Sequence, residues 1–180
     1  YFDPLAQTFT VDDPNGIFAT RIRVYFAQKP DVGAGDANLP VRLELRPVVN
    51  GVPSSSKVIP GSTVVKSPSA VNVLSANLNP SINTMLANGT DFVFEEPVYL
   101  ANAEYAIVLR SDSNDYKVYI SEVEDFLLGS TEQRISKQPY LGALFKSQNS
   151  TLWEPAQRQD LAFRLYRANF EYSGNAILEN

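Results

Sequence analysis

Gln133 to Arg167, QRISKQPYLGALFKSQNSTLWEPAQRQDLAFRLYR, is the stretch whose reading decides the fold. Turn-rich, aromatic sequence leads there into one strongly alternating run, in which Leu161, Phe163 and Leu165 oppose Ala162, Arg164 and Tyr166. A period of two marks a strand with one face in a core, because successive side chains leave a pleated backbone on opposite sides. Ahead of it, Gly142 to Ser147 reads as a short strand and Gln148 to Thr151 as a turn. The whole stretch is the expected seam of a β-sandwich.

Working outward, the rest of the chain uses the same pattern. Leu5, Gln7, Phe9 and Val11 share one face of a short strand closed by the Asp-Asp-Pro-Asn-Gly turn. From Ile17 to Phe26, Phe18, Thr20, Ile22, Val24 and Phe26 are expected on the core face, with Ala19, Arg21, Arg23 and Tyr25 opposite. Val41, Leu43 and Leu45 alternate with Arg42 and Glu44, and Pro47 ends or edges that strand. Asn50-Gly51 signals a hairpin, and Pro53, Pro60 and Pro68 restrict the segment after it to short edge pieces. Pro80 to Leu86 offers one helical turn capped by Asn79. Asp91 to Phe94 and Pro97 to Leu100 are extended, and Glu104 to Arg110, apolar on both faces, reads as a central strand. Ser111 to Asp115 is a hairpin turn, after which Tyr116 to Val123 is expected to pair back on that strand. Residues 168–180 read as an extended tail.

Composition agrees. Ten Phe, nine Tyr and twelve Pro against a single Met favour pleated structure over helix. About nine short strands between Pro, Gly and Asn turns indicate an all-β fold with little or no helix, a single antiparallel β-sandwich over residues 1–180, with a jelly roll as one topology it allows. The chain starts at Tyr1 and stops at Asn180 without a terminal signal, which reads as a domain excised from a longer chain.

The same inventory excludes chemistry. With no histidine and no cysteine, imidazole or thiol catalysis, disulfides and the usual zinc sites are out of reach. A net charge of −5 argues against a general nucleic-acid binder, which needs a basic face to displace phosphate counterions. No apolar run approaches the roughly 20 residues of a membrane span. Asp112, Asn114 and Asp115 form a weak calcium-turn candidate, although Asx turns use the same residues and no EF-hand-like spacing accompanies them. Glu95 and Glu96 would leave a strand on opposite faces, and Glu122, Glu124 and Asp125 read as solvated charges, so no glycosidase pair is formed. Ser54 to Ser56 beside Lys57, the glycines at Gly33 and Gly35, and the sequons at Asn88 and Asn149 read as loop sequence. The candidate recognition surface comprises Tyr140, Trp153, Tyr25, Arg21 and Arg23, with Tyr119 beside them, since exposed aromatic rings stack on sugars or anchor protein partners. Trp153, between Asn149 and Pro155, reads as a loop residue and the best exposed of these.

The phrases DPLAQTFTV, LRPVVNGVPSSSKVIPGS, EEPVYLANAEYAIVLRSDSNDYKVYISEV and ISKQPYLGALFKSQNSTLWEPAQRQDLAFRLYRANF carry a family resemblance. From Asp3 to Phe170 the chain resembles a domain in large virion structural proteins, baseplate or tail-fibre-associated, of T4-like contractile-tailed bacteriophages, notably those of marine cyanobacteria. The resemblance implies a non-enzymatic module, assembled in the host cytoplasm into the phage tail, without cofactor or metal. Its implied partners are other tail or baseplate subunits or further copies of itself, with no nucleic acid and no membrane insertion. Arg21, Arg23, Tyr25, Arg42 and Arg46 are then candidate subunit contacts, because Arg and Tyr favour interfaces. The alternative is a carbohydrate-binding, lectin-like module contacting a host surface glycan.

Overall fold

The structure, a computed structural model, describes residues 4–31, 38–74, 81–122, 142–147, 152–156 and 158–170. Its strands in chain order are β1 (Leu5–Val11), β2 (Ile17–Val24), β3 (Phe26–Gln28), β4 (Val41–Val49), β5 (Val52–Pro53), β6 (Val64–Lys66), β7 (Thr90–Leu100), β8 (Ala103–Ser111), β9 (Lys117–Val118), β10 (Ile120–Glu122), β11 (Leu144–Ser147), β12 (Trp153–Ala156), β13 (Gln159–Leu161) and β14 (Phe163–Arg167). Among the described residues the one α-helix, α1 (Ile82–Ala87), lies between β6 and β7. Ser81 caps it by accepting the Thr84 N–H at 3.3 Å; the expected cap, Asn79, lies outside the described residues.

The strands form two packed layers, an all-β antiparallel sandwich. The larger sheet runs β12-β11-β1-β8-β4, with β5 and β6 on the far edge of β4. β8 is central as expected: it pairs β1 on one side and β4 on the other, and Tyr105 to Leu109 are all buried. Because both its edges are taken, the segment after the Ser111–Asp115 turn does not pair back on it, contrary to the sequence expectation. It crosses to the other layer, where β9 pairs β3 and β10 pairs β13. Pro47 does not end β4; the strand runs on to Val49 and turns at Asn50-Gly51, whose φ values of 52° and 79° are both positive, as a type I′ turn requires.

In the second layer β2 lies between β14 and β7. The alternating segment Leu161 to Tyr166, expected as one strand, is divided: Leu161 ends β13, which pairs β10, while β14 pairs β2 antiparallel from Val24↔Phe163 to Ala19↔Arg167 and closes this layer. β2 departs from strict alternation. Between Ala19 and Arg21 its partner on β7 jumps from Val98 to Val93, so Thr20 stands opposite the bulged residues Phe94 to Pro97. A bulge shifts the phase of a strand by one residue. Ala19 is therefore buried before it and Ile22 and Val24 after it, while Phe18, expected in the core, is turned out. Beyond Val24 the layer forks: the Tyr119 N–H donates to Tyr25 O at 2.9 Å and the Ala162 N–H to Tyr119 O at 3.0 Å, so β9 and β10 wedge between β3 and β13.

Phe9, Leu43, Leu45 and Ile107 of the large sheet meet Ile22, Val24, Phe26, Phe92 and Leu161 of the second layer. Burial of each such side chain stabilises by roughly 1.5–3 kcal/mol. The other face of the large sheet is covered too, with Ala6, Ala106, Val108 and Phe145 buried.

Gly16 fastens the turn into β2. It holds φ at +72°, and a Cβ there would stand 2.5 Å from Leu100 O and 2.8 Å from the Tyr99 ring. Gly16→Ala is expected to cost about 1–3 kcal/mol, the penalty of a left-handed non-glycine residue, in denaturant unfolding with an unchanged slope.

Candidate protein-docking face

The outer face of the β14-β2-β7 sheet carries three cross-strand rows. In the first, Arg164, Arg23 and Asp91 stand side by side; in the second, Tyr166, Arg21 and Val93 do. Phe18 and Tyr99 pair in the third, with Phe170 edge-on to Phe18 at 5.2 Å. The rows face solvent because the bulge at Thr20 places Ala19, Ile22 and Val24 inward.

Arg21 and Arg23, both selected from sequence, are brought together here. Arg23 grips Asp91 with Nε at 2.6 Å and Nη2 at 2.8 Å, and its Nη1 donates to Leu86 O at 3.0 Å, tying the end of α1 to the sheet. Arg21 donates to the same carboxylate at 3.1 Å and lies 4.1 Å over the Tyr166 ring. Hydrogen bonding to Arg23 holds the Asp91 carboxyl below the usual range against the opposing effect of burial, and the same bond raises Arg23 further. Arg23 thus serves the fold first, and Arg21 remains partly open to solvent.

Tyr25 is not a surface residue. It is 4% exposed, packed with Leu74 and Met85 against Tyr119 and Ala162, because the fork and α1 enclose it. Burial raises the pKa of its hydroxyl, which has no hydrogen-bond partner among the described residues. Arg46 is buried as well, against Glu44, whereas Arg42 is exposed. Trp153 belongs to edge strand β12, not a loop, and half-buries its ring against Ala6, Ala106, Val108 and Phe145. Tyr140 lies outside the described residues, as do Glu124, Asp125, Gly33, Gly35 and Asn149.

The Asp112–Asp115 turn is closed by serines: the Ser113 N–H donates to Ser111 Oγ and the Asp115 N–H to Ser113 Oγ, each at 3.1 Å. Asp112 and Asn114 are exposed, and among the described residues no three carboxylates gather for a metal. The turn borders a cleft of about 320 Å³ lined by Leu5, Phe26, Val41, Leu109 and Tyr116, among others. Tyr116 is pushed up to about 12 by burial and donates its hydroxyl to Leu39 O at 2.8 Å.

Sequence reasoning missed Phe18, Tyr99, Phe170 and Val93, which are 39%, 51%, 63% and 56% exposed. For Tyr99 a signal existed, since Val98 and Leu100 on either side are core residues and alternation turns Tyr99 out. For Phe18 there was none, because a bulge leaves no mark in the pattern of its own strand. No family model, curated protein or solved structure matches this chain.

Proposed function

We propose that this chain is a non-enzymatic structural module of a phage tail or baseplate, and that it assembles through protein contacts made by the outer face of the β14-β2-β7 sheet. The observation that carries the reading is the solvent-facing group Phe18, Tyr99, Phe170 and Val93 beside Arg21 and Tyr166. Aromatic residues and arginine, gathered on one rigid sheet, are the composition of interface anchors. The virion resemblance of the DPLAQTF and SKQPYLG phrases supplies the setting, and the lack of histidine and cysteine accords with a role without catalysis.

Surface-captured chain is to be presented with purified tail and baseplate subunits of the same virion. At least one subunit is expected to bind, and Phe18→Asp with Tyr99→Asp to weaken that binding at least tenfold with no change in the melting curve. Repeatable binding on a host-glycan array that Trp153→Ala abolishes would instead establish the lectin reading, and polysaccharide turnover would overturn the non-enzymatic one.

A further inference from the structure

We propose that the outer face of the β14-β2-β7 sheet receives a short extended segment of a neighbouring protein, one that sets an Asp or Glu against Arg164 and Arg21 and an apolar side chain against Phe18. This rests on the assembly reading and names the chemistry of the partner. Arg21, Arg23 and Arg164 share one carboxylate, Asp91, which Arg23 engages twice and Arg21 once. Arg164 is exposed and has no ion-pair partner among the described residues. Three guanidinium groups against one carboxylate are a local surplus of positive charge on a chain whose net charge is −5. A guanidinium fork matches a carboxylate through two parallel hydrogen bonds, so a carboxylate is the group that Arg164 lacks.

The charges also set the path of the segment. Glu95 and Glu96, exposed at the β7 bulge and without ion-pair partners among the described residues, repel an acidic segment from that edge. The route left open runs from Arg164 past Tyr166, over whose ring Arg21 lies, to Phe18 and Phe170. From between Arg164 and Arg21 to Phe18 is about four residues along β2, roughly 13 Å. Side chains four apart on an extended segment point the same way, so one segment reaches both.

Three strands at about 4.8 Å and eight residues at about 3.3 Å make a face of roughly 14 by 26 Å. That is well below the roughly 800 Å² per partner of a standard interface between folded proteins. It suits a single strand-like segment, which binds weakly alone and gains strength where an assembly holds the two chains together.

The probe is a fluorescein-labelled synthetic peptide, Glu-Glu-Thr-Ser-Phe-Phe-Thr-Ser, which spaces each acid four residues from an aromatic ring. Fluorescence anisotropy at low salt, with chain up to about 1 mM, is expected to show saturable binding. Glutamine in place of both glutamates, Arg164→Glu or Phe18→Asp should each weaken it at least tenfold, with unchanged melting curves for the two variants. Lys57→Glu, in the loop over the opposite face of the sandwich, makes the same charge change and should leave binding unaltered. No binding, or binding indifferent to Arg164→Glu, overturns the proposal. So does tighter binding of alginate, a carboxylated polysaccharide, that Phe18→Asp leaves intact, or a dimer of the chain itself that Arg164→Glu abolishes, since the occupant is then a glycan or a second copy. If the peptide fails while a tail subunit is still captured through Phe18 and Tyr99, the acidic anchor falls and the assembly reading stands. If the peptide binds as expected and no tail subunit is captured, the anchor stands and the virion setting falls.

Discussion

Arg46→Ala is expected to lower the unfolding free energy by about 3–5 kcal/mol, the cost of leaving a buried charge without its partner. Arg46 and Glu44 stand two residues apart on β4, on the face opposite the main core, Glu44 in the row that continues through Val108 and Ala6 and Arg46 in the row of Ala106 and Thr8. Both side chains are 4% exposed. The guanidinium Nε donates to Glu44 Oε1 at 2.8 Å, and Nη1 reaches Ser54 O at 2.9 Å and Ser55 O at 3.3 Å, so one residue neutralises the carboxylate and satisfies the loop that covers it. Arg110, 3.8 Å from the same oxygen and largely solvated, is too far and too screened to replace it. Against a typical total stability of roughly 5–15 kcal/mol the loss is severe. Replacing both charges, Glu44→Leu with Arg46→Met, is expected to cost less than Arg46→Ala, because the desolvation cost leaves with the attraction and only the hydrogen bonds to Ser54 O and Ser55 O are lost. Urea unfolding of both variants tests this; a loss below about 1 kcal/mol for Arg46→Ala sinks the argument.

Gln7→Leu is expected to cost about 2–5 kcal/mol although it nearly conserves volume. Gln7 is buried on the core face of β1 and spans the sandwich: its Nε2 donates to Asp160 Oδ1 at 3.0 Å and to Thr8 O at 3.2 Å, and its Oε1 accepts the Leu161 N–H at 2.8 Å. The leucine leaves a buried carboxyl and a buried N–H unsatisfied, each worth roughly 1–3 kcal/mol. Asp160→Asn moves stability the other way at neutral pH, since the amide oxygen still accepts from Gln7 and no charge is buried. Burial raises the Asp160 pKa, with the Gln7 hydrogen bond opposing. The folded chain therefore binds the proton more tightly than the unfolded one. The stability this group contributes is fully present below the ordinary carboxylate value of about 3.9 and is lost as pH rises through the raised folded value. The advantage of Asp160→Asn should accordingly grow with pH across that window and vanish below it, as read from denaturation midpoints measured as a function of pH.

The contrast between Gln7 and its neighbours marks where sequence reading stopped. Alternation placed Gln7 on the face of Phe9 and Val11, and that is where it lies. Its partner, Asp160, is 153 residues away, and no local pattern indicates that the two meet. Glu44 and Arg46 illustrate the same limit. On a strand whose other face is core they read as wet, yet the chain that turns back after Asn50-Gly51 buries them.

The sequence by itself determined the class of fold and the central place of Glu104 to Arg110, because a two-residue period reports which face of a strand meets a core. It also determined that histidine and cysteine chemistry is absent, since residue types need no fold to be counted. Only the tertiary structure decided which edge each strand uses and which side chains remain outside. The bulge at Thr20 turned Phe18 out, the fork at Tyr25 and Tyr119 enclosed the tyrosine expected on the surface, and β8, flanked by β1 and β4, sent β9 across the sandwich. Each is a competition for edges and volume between segments remote in the chain, and periodicity within one segment carries no record of its competitors.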